Sequence, residues 1–313
     1  MKKALSLVLV LVFSFAFFAN AETTHVKVGI VGSTNEQWTD VLVPKLAEEG
    51  IEIELVAFSD YVMPNIALAS GDIDLNAFQH YNFLNSWNNE NSATYGVKLV
   101  AIGETLIAPL SLYSDKYTSV DQFQKGDTIL VMNDPTNEAR ALQMLASLNL
   151  IKLADNLTSY ATVVDIVENP LELNIYEMDA SMIGSQMSDS SVAAGFMNGQ
   201  YATQAGYPHE SAIAIEAFDP NNADQRGIVN IIAARETDAE NPVYLRIAEA
   251  YQCDEVAEVF ETLYKGSFEP AWYSVIFPQN AFPVFLREGV FATVRAEPWQ
   301  APLFFRRFAC KNA

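Results

Sequence analysis

The chain is short of positive charge, of cysteine and of histidine. Its 313 residues hold 18 Lys+Arg against 39 Asp+Glu, a formal net charge of −21. So acidic a protein repels phosphate backbones and anionic lipid headgroups, which argues against nucleic acid as a partner. The two cysteines, Cys253 and Cys310, make no disulfide framework. Three histidines (25, 80, 209) and no Cys-x-x-Cys offer no zinc-ligand spacing, so no metal is expected. Past the N-terminus, no segment has the ~18 consecutive apolar residues of a membrane span. Glycines 29, 32 and 103 form no phosphate-binding loop, and G-x-S-x-G and H-E-x-x-H are absent. DIDLN (72–76) lacks the glycine and glutamate of a calcium loop. No cofactor is expected. His80 has no recognisable nucleophile beside it, so the chain is not read as an enzyme.

What is present begins with an address. Lys2 and Lys3 precede an apolar run from Ala4 to Phe18, and Ala19-Asn20-Ala21 has the small-x-small pattern of a signal-peptidase site. This reads as a cleavable secretory signal over 1–21. With Glu22, not cysteine, after the cut, the expectation is a periplasmic protein without a lipid anchor.

The remaining chain is long enough for about two domains. HVKVGIVG (25–32) and IEIELVAF (51–58) alternate as strands, and TDVLVPKLAEEG (39–50) has helical spacing and stops at a glycine. MPNIALASGDID (63–74) predicts a helix closed by Gly71, followed by a strand at LNAF (75–78). Strand, helix, strand is the rhythm of a parallel sheet with helical crossovers. KLVAIGETLIAPLSLYS (98–114) does not read as one element: Gly103 and Pro109 separate two strands, as if the chain left one sheet for another. The strand at 119–133, the helix at 134–150 and the strand-turn-helix at 189–206 follow, and GIVNIIAAR (227–235) is a further strand. The expectation is an α/β fold of two lobes, each a mainly parallel sheet flanked by helices, with a ligand cleft between them. One lobe is expected over 22–105 plus 228–272 and the other over 106–227. Residues 273–313 change character, with 5 Lys+Arg, 2 Asp+Glu and no clear periodicity, and are given no fold.

Three stretches carry a resemblance: FSDYVMPNIALASGDIDLNAFQHYNFL (58–84), NDPTNEARALQMLASLNLIKL (133–153) and MNGQYATQAG (197–206). In order, and together with 163–180 and 250–260, they are similar to the NlpA-type methionine-binding proteins, the extracytoplasmic receptors of methionine ABC importers. The resemblance runs from about Lys27 to Trp272. It implies a two-lobed periplasmic binding protein, type II-like, acting as a monomer that closes on L- or D-methionine or a small methionine peptide and delivers it to an ABC permease. It implies hinge closure near Gly103–Thr105 and residues 227–230. The site residues it implies are Tyr61, Asn76, Phe78, His80, Tyr81, Asn133, Asn137, Arg140 and Asn198.

The sequence also departs from the family. Relatives often carry a lipid-modified cysteine after the signal, and Ser59 stands where asparagine is usual. The segment 181–189 lacks a Leu-Pro-Arg-like run, and 273–313 has no counterpart. These differences keep open a same-family protein with another ligand or a sensing role; an enzyme on the same fold ranks below both.

The chemistry of a free amino acid assigns provisional roles. A carboxylate suits the planar fork of Arg140, at the start of a helix that Asp134 and Pro135 are placed to cap and begin. Otherwise Arg140 is an exposed side chain paired with Glu138 or with a neighbouring lobe. Asn198 and the asparagines of NDPTN offer amide groups to ammonium or carboxylate, and all of them also suit turns and caps. Phe78, Tyr81 and Tyr61 suit a thioether, which favours aromatic edges, although most of the 19 Phe and 13 Tyr must be core.

Overall fold

The computed structural model describes residues 23–33, 35–219 and 222–272. The expectations for the signal at 1–21, its cut, Cys310 and the segment 273–313 lie outside the described residues. In chain order the first lobe begins with β1 (Thr24–Val31), α1 (Val43–Ala47), β2 (Ile51–Phe58), α2 (Met63–Ser70), β3 (Leu75–His80), α3 (Tyr81–Tyr95) and β4 (Leu99–Ile107). The chain then enters a second sheet through β5 (Ser111–Tyr113), β6 (Thr128–Met132), α4 (Pro135–Ser147), the short pair β7 (Lys152–Leu153) and β8 (Ile166–Glu168), and β9 (Asn174–Met178). It continues with α5 (Ala180–Gln186), β10 (Val192–Met197), α6 (Gly199–Gln204) and β11 (Ala214–Ile215). It returns through β12 (Val229–Arg235), α7 (Pro242–Tyr251), α8 (Asp254–Val259) and β13 (Glu269–Pro270).

Two sheets result, ordered β13-β4-β12-β3-β1-β2 and β11-β5-β10-β6-β9. They are mixed rather than mainly parallel. Where a helix connects successive strands the pairs are parallel, as in β1 with β2 and β6 with β9. Where the chain passes between sheets they are antiparallel. β4 carries it out and β12 brings it back, side by side and opposed; β5 and β11 do the same in the second sheet. The outward and return strands are therefore neighbours at both ends of the crossing.

Each sheet has its own core. Val26, Val28, Trp38, Ile247 and Tyr251 are buried in one cluster of the first sheet, and Leu68, Leu84, Trp87 and Ile231 in another. Burial on both faces explains why these strands read as nearly continuous apolar runs. The second sheet's core includes Leu112, Val131, Leu142 and Phe196.

Local signals behaved as their chemistry requires. Gly71 ends α2 at φ 81°, a conformation only glycine adopts at little cost. Asp134 caps α4 by accepting from Asn137 N, with Pro135 in the first turn. Gly103 differs from its reading: it is not a break, since β4 runs through it. A Cβ there would sit 2.7 Å from that of Ala248 on α7, so the glycine serves a close approach of helix to sheet. Gly103–Thr105 thus lies inside a paired strand, and the chain leaves the sheet only after Ile107. Cys253 is a buried free thiol between α7 and α8. Among the described residues no helix is long and apolar enough to cross a membrane, and no cluster of His, Cys, Asp or Glu could hold a metal ion.

Candidate functional site

A cavity lies between the two sheets, walled by residues from both. Of the residues expected there, Tyr61, Phe78, His80, Asn137, Arg140 and Asn198 line it.

The first-lobe wall carries a cluster of aromatic rings. β3 delivers Phe78, the loop before α2 delivers Tyr61, and the first turn of α3 delivers Phe83. Their ring centroids stand 5.9 Å (Tyr61–Phe78), 6.1 Å (Tyr61–Phe83) and 5.7 Å (Phe78–Phe83) apart. Tyr201 of α6 closes the group at 5.1 Å from Tyr61. Burial pushes the Tyr61 hydroxyl well above its ordinary pKa, so this wall stays uncharged.

His80 sits at the edge of that wall. It ends β3 and caps α3, its Nδ1 accepting from Phe83 N at 3.1 Å. Burial first, then the nearby Arg140 charge, lower its pKa to about 3. The ring is therefore neutral with Nδ1 as acceptor, which puts its hydrogen on Nε2. Nε2 is buried and has no hydrogen-bond partner among the described residues.

The second-lobe wall is polar. Arg140 is 5% exposed, held on the first turns of α4. Its Nε donates to Glu216 Oε1 at 3.0 Å and its Nη2 to Glu216 Oε2. Nη2 also donates to Ala108 O at 3.0 Å, and Nη1 to Asn137 Oδ1 at 2.9 Å. Asn137 in turn donates through Nδ2 to both Asp134 oxygens, at 3.1 and 3.0 Å, and accepts from Asn198 Nδ2 at 3.2 Å. Asn198 Oδ1 is the second buried polar atom of this cavity without a partner among the described residues. A guanidinium has five hydrogens. Four are used, which leaves one on Nη1 beside Asn137.

This differs from the sequence expectation in one respect. The two-pronged edge of Arg140 goes to Glu216, not outward. Glu216 follows β11, remote from Arg140 in sequence, and β11 runs antiparallel to β5 at the crossing. Nothing local to 133–140 signals it. Arg140 is neither exposed nor paired with Glu138, whose carboxylate accepts instead from Val163 N.

Three expected residues are not brought to the cavity. Asn76 is fully buried: its Nδ2 donates to Asn65 Oδ1 at 2.9 Å and its Oδ1 accepts from Gln79 at 2.9 Å. The pairing of β3 with β12 shifts register between Ile231 and Ala233, facing Gln79 and Asn76, which puts an extra residue into β3. Simple alternation therefore fails there, and Asn76 and Gln79 meet under α2. Tyr81 turns its hydroxyl to Glu104 at 3.3 Å, and burial with that carboxylate pushes its pKa up to about 12. Asn133 is exposed and extends β6 by donating its N–H to Met178 O at 2.9 Å. Neither departure at 59 nor that at 181–189 touches the cavity lining: Ser59 offers its carbonyl to Tyr201 Oη at 3.0 Å, and 181–186 belong to α5.

The cavity also has walls that the sequence did not announce, among them Gln37, Phe83, Thr105 and Asn230. Asn230 alone had a visible signal, as a single amide in the apolar run GIVNIIAAR. Across the rim, the Gln200 amide donates to Val31 O, and the start of α6 packs against the turn at Ser267–Phe268. The two lobes are thus in contact around the cavity.

Comparison with known proteins places this geometry in a group. The family model described as NlpA lipoprotein matches residues 26–272. The D-methionine-binding lipoprotein MetQ of Escherichia coli K12 is 37% identical over 254 residues, 80% of this chain and 90% of that protein. Outer membrane lipoprotein 3 of Mannheimia haemolytica is 38% identical over 261 residues, 82% of this chain and 94% of that protein. Among solved structures, a methionine-transporter substrate-binding protein from Streptococcus pneumoniae superposes with a TM-score of 0.72 at 37% identity, covering 79% of this chain and 95% of that one. A Burkholderia cenocepacia nutrient-binding protein bound to methionine gives 0.71 at 38% identity, covering 78% and 99%. These relatives are named as binding proteins or lipoproteins, not enzymes. They also correct the expectation of a protein without a lipid anchor. That expectation rested on the residue after the signal alone, whereas the family and its curated members are described as lipoproteins, which points to a lipid-anchored form. With its fold, its two-walled cavity and a match running from Val26 to Trp272, this chain belongs to the NlpA lipoprotein family.

Proposed function

We propose that the chain captures methionine, in L or D form or within a small peptide, and hands it to the permease of an ABC importer. The observation that carries this reading is a pair of opposite, unsatisfied groups in one cavity. His80 Nε2 offers a hydrogen and Asn198 Oδ1 offers lone pairs, and the remaining Nη1 hydrogen of Arg140 belongs to the same cavity lining. A buried polar atom left unpaired costs about 1–3 kcal/mol, so such atoms mark where a ligand belongs. The backbone of an amino acid supplies both complements: a carboxylate for Arg140 and His80, an ammonium for Asn198. Tyr61, Phe78 and Phe83 then receive the side chain, and a thioether gains about 0.3–1.5 kcal/mol from aromatic edges.

The names of the relatives support the same ligand and the same partner. The chain works by binding, not chemistry. His80 is neutral and already committed at Nδ1, so it is a donor rather than a base. Opening and closing turn on the two crossings, one just after Ile107 and one just before Val229, where the chain leaves and rejoins the first sheet. Closure brings the second-lobe wall onto the ligand, and the closed monomer docks on the permease. The domain limits follow the crossings: the first, expected after 105, falls after Ile107 at the end of β4, and the return falls just before Val229.

Thermal shift against the twenty amino acids, D-methionine and methionine dipeptides tests the reading. Stabilisation by methionine above all others is expected. Stabilisation by a different amino acid, with none by methionine, overturns it.

A further inference from the structure

We propose that Glu216 sets the charge selectivity of the cavity: by compensating Arg140 it makes the site accept a zwitterion and reject an anion of the same shape. This rests on the reading that the cavity takes a free amino acid.

The argument begins with the groups that Glu216 occupies. Its side chain is 13% exposed and meets the Nε and Nη2 edge of Arg140 through both oxygens. It also accepts from Leu110 N at 3.0 Å through Oε2, while its own N–H donates to Leu110 O at 2.8 Å. The carboxylate is therefore fixed by three donors and its backbone by the strand it leaves. It lies behind Arg140, on the side away from Asn137.

Two consequences follow. The first is orientation. With Nε and Nη2 tied to Glu216 and Ala108, the guanidinium cannot present its two-pronged edge to a ligand. One Nη1 hydrogen remains, and the ligand carboxylate must draw its other bonds from neutral donors such as His80 Nε2. The second is charge. Arg140 is the one charged side chain among the residues lining the cavity, and Glu216 cancels it from behind. The next carboxylate, Asp134, is turned to the N-terminus of α4 by Asn137. An anion entering this site meets no net positive field. A zwitterion brings its own cation, for which Asn198 Oδ1 is placed. Transfer of an uncompensated charge into a dry cavity is costly, so the ammonium decides acceptance.

The test uses two ligands that differ only in that ammonium. Methionine and its hydroxy-acid analogue, which has a hydroxyl in its place, are titrated calorimetrically into the wild-type chain and into Glu216→Gln. The wild type is expected to prefer methionine by about 100-fold or more, the scale of a hydrogen-bonded charge left unpaired. Glu216→Gln keeps the shape and raises the local charge by one, and it is expected to narrow that preference about tenfold or more. Equal weakening of both ligands with an unchanged ratio means a merely structural role and overturns the inference. So does a wild type that binds the hydroxy acid within threefold of methionine, roughly 0.7 kcal/mol, a result independent of how well the variant folds. A wild type that binds neither overturns the reading beneath it, and this inference with it.

Discussion

The two walls of the cavity are built by opposite means. The first-lobe wall sets rings from β3, the loop before α2 and α3 beside the polar side chains of Gln37, Thr105 and Asn230, and its one titratable nitrogen base, His80, is held neutral. The second-lobe wall is made of amides and one ion pair, gathered from α4, the turn after β10 and the residue after β11. The rings can distinguish side chains by packing; the guanidinium and amides, with His80 Nε2 facing the same cavity, can hold a head group. Affinity should therefore depend mainly on the second lobe, and discrimination among amino acids mainly on the first.

Breaking the second wall should have the largest effect. Arg140→Ala is expected to weaken methionine binding by 2–5 kcal/mol, roughly 30-fold to several thousand-fold by calorimetry, and to lower Tm because Glu216 is left buried without its partner. Unchanged affinity would take Arg140 out of the site. Asn198→Ala removes the acceptor proposed for the ammonium. A loss of about 1.5–3 kcal/mol is expected, with the hydroxy-acid analogue affected less than methionine. If both ligands lose equally, Asn198 is a turn residue and no more.

The first wall should show smaller and more selective effects. Phe78→Leu keeps an apolar surface but removes the ring. It is expected to cost methionine up to about 1.5 kcal/mol and to narrow its advantage over norleucine in competition binding. An equal loss for both would mean that the ring acts by volume alone. The smallest effect concerns pH. Because His80 stays neutral down to about 3, methionine affinity is expected to be flat between pH 5 and 8, and a midpoint near 6.5 would assign its proton wrongly. Its stability effect has the opposite visibility. The unfolded chain takes up a proton on His80 below about 6.5 and the folded one does not until about 3, so stability is lost as pH falls through that window. His80→Asn should show a shallower fall of Tm over the same range.

The same contrast explains what could be read in the sequence. Local chemistry was legible: the Asp134 cap, the Pro135 start, the Gly71 stop and the strand-to-helix turn at Asn198 need only neighbouring residues. Arg140 stood out because it lies early in a helix that follows the end of a strand, a place where α/β sheets bind ligands. Its partner did not, since Glu216 arrives by an antiparallel pairing between strands that enter and leave the second sheet. Asn76 failed for a related reason. The family resemblance placed it with Phe78 and His80, but the irregular pairing of β3 with β12 sends it into an amide cluster with Asn65 and Gln79. Gly103 was read as a break between strands when its purpose is contact with Ala248, a fact of packing that a glycine in a sequence does not disclose. The mixed sheets come from the same source: helical crossovers are visible in a sequence, while the return of a chain beside its own outward strand is not.

The central claim is that methionine lies across the cavity with its head on the second lobe and its tail on the first. A crystal structure of the chain with methionine tests it most directly. The account predicts the carboxylate within hydrogen-bonding distance of Arg140 Nη1, the ammonium on Asn198 Oδ1 and the thioether among Tyr61, Phe78 and Phe83. Methionine bound with its thioether toward Arg140, or bound outside this cavity, would contradict it.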